Sequence, residues 1–126
     1  TPVKHPANPL IKRDKPWEVT PYFRVSTFNV IWDPVAQVYR CWYDDLYEYF
    51  DVGVPSRQRL FYAQSKDGLN WDKPVLGKHV IDGHETNAIF APEDVMVDCP
   101  SIFLDPSETD AAQGEAIQKR CEGLAQ

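Results

Sequence analysis

The sequence predicts an all-β fold that ends in a short C-terminal helix. Aromatic residues make up 13% of the 126 residues and are concentrated between Trp17 and Trp71, where Val, Ile and Thr accompany them. This mixture is typical of pleated, half-buried strands. Eleven prolines are spread along the chain and argue against a long helix before the C-terminus. A chain of this length is expected to form one domain with a modest core.

Residues 1–21 are predicted to form an extended, irregular lead-in, because proline interrupts them repeatedly. Leu10, Ile11 and Trp17 are the apolar residues that we expect to attach this segment to the body of the fold.

A meander of antiparallel strands is predicted for residues 22–76. The first strand ends at Asp33-Pro34, where proline removes a ladder donor. An aromatic and acidic loop at 45–56 separates the second strand from the third. The strand candidates are residues 23–32, 38–44, 57–64 and 69–71.

The clearest local signal is the heptapeptide Ser-Lys-Asp-Gly-Leu-Asn-Trp at 65–71, which predicts a tight hairpin. Asp67 can accept backbone N–H bonds across the turn, and Gly68 supplies a positive φ. Trp71 is expected to fold back over the sheet as an anchor. We therefore interpret Asp67 as a structural residue and not as a catalytic one.

Residues 77–108 are less regular, and strand character returns only at 101–104. The segment 109–126 has no aromatic residues and is rich in Ala, Gln and Glu, which favours a helix. Its apolar side chains have the spacing of one helical stripe. These residues are Ile117, Cys121 and Leu124.

A six-residue pattern occurs twice, as Asn-Val-Ile-Trp-Asp-Pro at 29–34 and Ser-Ile-Phe-Leu-Asp-Pro at 101–106. The two aspartates are 105 − 33 = 72 residues apart. A strand motif that returns after one four-stranded sheet is typical of successive β-propeller blades, although blade repeats usually span ~40–50 residues. We predict a partial β-propeller: about one blade at 22–76, then a connection and the first strand of the next blade at 77–108.

The composition restricts the partners. The net charge of −6 and the scattered Lys and Arg side chains argue against nucleic acid and suit a neutral or cationic ligand such as a sugar. No apolar run reaches the ~18 residues of a membrane span, so we expect no membrane association. No signal-like segment is recognisable, which leaves cytoplasmic and processed secreted forms both open.

The cysteines do not predict a metal or cofactor. Cys41, Cys99 and Cys121 are too widely spaced for a zinc site or a redox pair, although one disulfide bridge remains possible. Cys41 alternates with aromatic residues, so we expect it to be a small buried hydrophobe.

Several segments carry a family resemblance: KHPANPLIKRDKPWE, NVIWDPVAQVYRCWY, LFYAQSKDGLNWDKPVLG and SIFLDPSETD. Together they resemble the opening of the five-bladed β-propeller glycoside hydrolases of the family 32 and 43 type, and the hairpin also resembles the Asp-box of sialidase propellers. The resemblance covers residues 4–110. It implies a carbohydrate ligand and further blades, so that the chain looks like a truncated N-terminal fragment.

The resemblance also implies an acidic triad, in which two carboxylates cleave the glycosidic bond and a third stabilises charge. Asp98 lies seven residues before Asp105 and matches the second-blade aspartate, which holds the substrate. It could equally cap a turn before Cys99-Pro100. The corresponding first-blade position is Ser26, and the resemblance places the third acid in a further blade, so at most one acid of the triad is present and hydrolysis by this chain alone is not expected.

Two polar groups are candidates for substrate binding. Asp44 and Asp45 follow an aromatic strand and, with Tyr43, could form a sugar platform together with neighbouring tyrosines. The alternative is an acidic loop whose tyrosines pack on the sheet. The second group is a loop that could reach a pocket and comprises His84, Glu85 and Asn87.

These observations favour a fragment of a glycoside hydrolase-like propeller that acts on or binds carbohydrate. The alternatives are a non-catalytic carbohydrate-binding or interaction propeller, and a truncated product without independent function. Open sheet edges would favour self-association, for which we predict residues 28–32 and 58–63.

Overall fold

A computed structural model describes residues 1–19, 21–22, 29–48, 57–91 and Ile102. Within these residues the protein is all-β and contains no helix. The predicted helix at 109–126 lies outside the described residues. The strands are β1 (Pro21–Tyr22), β2 (Asn29–Asp33), β3 (Val38–Glu48), β4 (Arg57–Ser65), β5 (Val80–Ile81), β6 (His84–Glu85) and β7 (Ala88–Phe90).

Five of these strands form one antiparallel sheet, and β5 pairs with β6 in a separate hairpin. Both β1 and β2 pair with β3, β1 at Asp44 and Asp45 and β2 from Val38 to Trp42, so they follow one another along the same edge. β4 pairs with the other side of β3, and β7 pairs with β4. The predicted antiparallel meander is therefore present.

The fourth strand position differs from the prediction. Residues 69–71 belong to the turn, and the edge of β4 is instead paired by Asp72, bridged to Gln64, and then by β7. Pro74 has no N–H to donate, so the ladder cannot continue directly after Asp72. The intervening residues leave the sheet, form the β5–β6 hairpin, and return at β7.

β3 is also longer than the sequence indicated. It extends to Glu48, with a register shift between Leu46 and Glu48, where the prediction placed a loop from residue 45. The reason is tertiary, because β4 supplies backbone partners through this acidic stretch. Asp44 and Asp45 consequently lie inside a central strand.

The sheet buries both of its faces. We call one the Tyr43 face; it carries Cys41, Tyr43, Phe61 and Ala63, which are fully buried. The other is the Trp42 face, which carries Trp42, Leu60 and Tyr62. The assignment follows from the alternation of side chains along paired strands, in which Tyr43 stands opposite Phe61 and Trp42 opposite Tyr62.

Segments from distant parts of the chain cover these faces. Trp17 is buried on the Tyr43 face and Ile11 packs beside it, which confirms the predicted attachment of the N-terminal segment. Ile102, from the second copy of the repeated motif, is buried on the Trp42 face against Trp42 and Leu60.

The 65–71 hairpin has the predicted geometry. Asp67 Oδ1 accepts hydrogen bonds from the backbone N–H groups of Leu69 (2.9 Å) and Asn70 (2.8 Å). Gly68 has a φ of 75°, and its backbone N–H donates to Ser65 Oγ at 2.8 Å. Trp71 folds back so that its Nε1–H donates to the Gly68 carbonyl at 3.0 Å.

The β2–β3 turn uses the same device. Asp33 Oδ1 accepts the backbone N–H groups of Val35 and Ala36, each at 3.0 Å, and Oδ2 accepts from Arg40 Nε at 2.8 Å. An Asp-Pro sequence thus closes the turn through its carboxylate.

Candidate binding site

Three of the predicted substrate-binding residues lie together on the Tyr43 face. Tyr43 and Asp45 alternate along β3, and Asn87 stands immediately before β7. Asn87 Nδ2 donates hydrogen bonds to the Tyr43 hydroxyl at 2.9 Å and to the Tyr62 carbonyl at 2.8 Å. The pairing of β7 with β4 explains this position, because the Tyr62 N–H in turn donates to the Asn87 carbonyl.

The N-terminal segment covers these groups, and we call its residues 14–19 the strap. Trp17 Nε1–H donates to Asn87 Oδ1 at 2.8 Å. The Tyr43 hydroxyl donates to Glu18 Oε2 at 3.4 Å. The backbone N–H of Val19 donates to both carboxylate oxygens of Asp45, at 3.0 and 3.2 Å. Consecutive strap residues therefore each contact a different predicted site residue.

Lys73 fastens the strap. Its Nζ donates to Glu18 Oε1 (2.7 Å) and Oε2 (2.9 Å), to Asp14 Oδ1 (2.8 Å) and to the Lys12 carbonyl (2.6 Å). The Lys73 side chain is only 3% exposed and Glu18 is fully buried, whereas Asp14 is 49% exposed. The Lys73 ammonium also lies 5.5 Å from the centroid of the Tyr43 ring. Such a buried ion pair is stable only when its hydrogen bonds are satisfied, as they are here.

The electrostatics define what the site can do. Burial raises the pKa of Tyr43, and the negative charge of Glu18 raises it further, so the hydroxyl stays protonated at neutral pH. Partial burial acts to raise the pKa of Asp14, but the hydrogen bond and charge of Lys73 outweigh this and lower it. The site therefore offers fixed hydrogen-bond donors and acceptors, and Tyr43 cannot act as a base near pH 7.

The other predicted residues lie elsewhere. Asp44 is buried but points to the Trp42 face, where it stands opposite Leu60, so it is separated from Asp45 by the sheet. His84 and Glu85 are exposed on β6, and the His84 ring lies 5.9 Å from the ring of Trp17. Asp98 and Ser26 lie outside the described residues.

The geometry changes the expected role of Tyr43. Its ring is fully buried between Phe61 and Lys73, so the group that it offers at this site is the hydroxyl and not an exposed face for stacking. Trp17, the aromatic side chain of the strap, is itself only 8% exposed.

Sequence reasoning missed the contributions of Glu18 and Lys73. These residues are 55 positions apart, and neither belongs to a recognisable motif. The one available signal was Glu18 between two apolar residues, Trp17 and Val19, in a segment already expected to contact the core. That position predicts a carboxylate near the protein interior but does not identify its partner.

The described part of the chain contains no group of three or more His, Cys, Asp or Glu side chains that could hold a metal ion. Among the same residues, no helix has the length and apolar character needed to cross a membrane. No family model, curated protein or solved structure matches the sequence or the fold.

Proposed function

We propose that this chain is a carbohydrate-binding part of a β-propeller of the glycoside hydrolase type, which binds sugar without hydrolysing it by itself. The observation that carries the proposal is the convergence of Tyr43, Asp45 and Asn87 on one face of the sheet, within hydrogen-bonding distance of one another or of the same strap. Asn87 is 44 residues from Tyr43 in the sequence.

The chemistry of the cluster suits a polyhydroxylated ligand. The Asp45 carboxylate and the side-chain oxygen of Asn87, Oδ1, accept hydrogen bonds, and the Tyr43 hydroxyl donates one. A sugar hydroxyl can both donate and accept, so neighbouring hydroxyls can satisfy such a mixed set. The exposed His84 ring lies beside Trp17 and can contact the apolar C–H surface of a sugar. A few convergent polar groups in a mainly apolar surrounding are typical of small-molecule sites.

Two features of the sheet favour its interpretation as a propeller blade. Its strand positions follow one another in antiparallel order, and both faces are apolar. Blades stack on one another, so the face that meets a neighbouring blade must be apolar. Ile102, from the second copy of the motif, covers the Trp42 face as the first strand of a following blade would.

We propose binding without hydrolysis because of the positions and contacts of the carboxylates. Glycoside hydrolysis requires two carboxylates placed on either side of the bond, one of them able to give up a proton. Ser26 stands where the resemblance expects the first of these. In the structure Asp45 acts as a hydrogen-bond acceptor through both of its oxygens, and Glu18 is paired with Lys73.

A matched pair of variants tests the proposal. Asp45→Asn removes the carboxylate on the Tyr43 face, whereas Asp44→Asn makes the same change one residue away on the Trp42 face. Both side chains are almost fully buried, so their effects on folding are comparable. The full chain is titrated with mono- and oligosaccharides of hexoses and pentoses, with binding followed by calorimetry and by the NMR signal of the Asn87 side-chain amide.

We expect binding that Asp45→Asn weakens about tenfold or more and Asp44→Asn leaves within about twofold, because a hydrogen bond to a charged group contributes ~1.5–3 kcal/mol. Thermal midpoints of both variants serve as the folding control. Absence of binding by the folded chain, or equal losses in the two variants, would exclude this site.

A second candidate, an interaction module, is favoured by the exposed side of β2. Val30 and Trp32 are 42% and 39% exposed. In the repeated motif Val30 corresponds to Ile102, which is buried on the Trp42 face of a sheet. By this correspondence, Val30 and Trp32 would pack against the equivalent face of another sheet. Leu60 and Tyr62, in the other segment predicted to self-associate, are already buried within the chain.

A further inference from the structure

We propose that residues 17–19 act as an internal ligand that occupies the site on the Tyr43 face, so that a sugar binds only after displacing the strap. The inference rests on the proposed function, because it assigns a regulatory element to the same site. Each of the three convergent residues is contacted by one of three consecutive strap residues.

The strap reproduces the hydrogen bonds that a ligand would make. The Val19 N–H occupies both oxygens of Asp45, and the Trp17 indole N–H occupies Asn87 Oδ1. The Glu18 carboxylate accepts from the Tyr43 hydroxyl. Two donors and one acceptor are thus presented along a short stretch of chain, the pattern that neighbouring sugar hydroxyls can also present. A ligand therefore competes with the strap for the same atoms.

The way in which the strap is attached allows it to be displaced as a unit. Within the described residues, its contacts with the sheet are made through side chains and through Val19, and regular strand pairing starts only at Pro21. The ion pairs of the strap are all made with one side chain, Lys73, which contacts Asp14 and Glu18. Weakening this one fastening therefore raises the fraction of molecules in which the strap is open.

Competition of this kind has a quantitative signature. When only a fraction of molecules is open, the apparent dissociation constant equals the intrinsic constant divided by that fraction. A substitution that opens the strap must therefore improve sugar affinity by the same factor by which it raises the open population. Linkage also requires the converse, that bound sugar increases the exposure of the strap.

The experiment measures strap exposure and sugar affinity in the same full-length proteins. Exposure is followed as the rate of trypsin cleavage after Lys12 and Arg13, which lie beside the strap, with sites resolved by mass spectrometry and each rate divided by that of an unstructured peptide of the same sequence. Asp14→Asn removes the more exposed carboxylate and should leave the fold intact. Lys73→Met removes the whole fastening, and Lys66→Gln, on the exposed 65–71 hairpin, is the control.

We expect Asp14→Asn to raise both the cleavage rate and the sugar affinity by about twofold to fivefold, the range for a partly exposed ion pair. Lys73→Met should raise both by at least about tenfold, because it leaves Glu18 unpaired. Lys66→Gln should change neither, and saturating sugar should accelerate cleavage of the strap in the unmodified chain.

The two proposals fail differently. If sugar binds the unmodified chain and the Asp14→Asn variant equally while cleavage of the strap increases, the strap is not a competitor, and the proposed carbohydrate binding stands. If cleavage increases and no sugar binds any variant, carbohydrate binding itself is wrong, and the internal-ligand proposal is overturned with it. Slower strap cleavage in the presence of sugar would also overturn the competition.

Discussion

Replacing Lys73 by methionine should be among the most destabilising single changes on the Tyr43 face. Methionine keeps the length of the side chain but removes the ammonium group that Glu18 and Asp14 contact. Glu18 is fully buried, so it would become an uncompensated buried charge. Breaking a buried pair in this way costs about 3–5 kcal/mol, whereas the partly exposed Asp14 contributes at most ~1 kcal/mol.

The loss is large compared with the whole stability of a domain of this size, about 5–15 kcal/mol. Equilibrium urea unfolding, followed by tryptophan fluorescence and by far-ultraviolet circular dichroism, gives the free energy of unfolding. The double variant Lys73→Met with Glu18→Gln should recover most of the loss, because it removes the charge that was left unpaired. Lys66→Met, at an exposed position, should lie within about 0.5 kcal/mol of the unmodified chain.

The strap offers the chain one way to avoid this cost, since Glu18 can regain water if the strap detaches. If the strap detaches in the Lys73→Met variant, we expect a smaller loss in the free energy of unfolding together with faster trypsin cleavage near residues 12–15. A loss below about 1 kcal/mol with the strap still protected from trypsin would refute the assignment of Lys73 as its fastening.

Three further predictions concern other parts of the sheet. Hydrogen bonds from the backbone and side chain of Asn70 lower the pKa of Asp67, and the Ala36 N–H lowers the pKa of Asp33 although burial acts to raise it. The stability that each carboxylate gives is present above pH 3.8 and is lost as the pH falls below it. The stability gap between Asp67→Asn and the unmodified chain should therefore close in acid urea titrations, and a constant gap would contradict this. Burial raises the pKa of Cys41 to about 12, so iodoacetamide at pH 8 should label it only after unfolding, and rapid labelling of the native chain by peptide mapping would be inconsistent with its burial. Trp32→Lys should reduce self-association in sedimentation equilibrium and Val35→Lys, in the adjacent exposed turn, should not; a chain that is monomeric at all concentrations would remove the interaction-module candidate.

Local sequence signals predicted the turns after β2 and β4 and the three longest strands, β2, β3 and β4. The 65–71 hairpin is determined within seven residues, because Asp67 and Gly68 satisfy the turn without help from the rest of the chain. The extent of β3 and the identity of the fourth strand could not be read in this way. They depend on pairing with β4, and β7 meets β4 only after the intervening residues have left the sheet.

The candidate site shows the same division. Tyr43, Asp45 and Asn87 were identified as polar residues near strands, but their meeting on one face depends on the register between β4 and β7. Asp44 was grouped with Asp45 because they are adjacent, and the alternation of a strand sends it to the other face. The Glu18–Lys73 pair joins two segments that share no local pattern, so only the tertiary structure brings it together.

The burial of Ile102 on the Trp42 face has a consequence for how the molecule folds. Repeat boundaries in the sequence would divide the chain before the second motif, yet a side chain of that motif completes the core of the first sheet. The cooperative unit therefore extends across the boundary of the repeat. The amide hydrogens of β4 should exchange together with that of Ile102, and a fragment cut at the repeat boundary should lose the protection that the intact chain gives to β4.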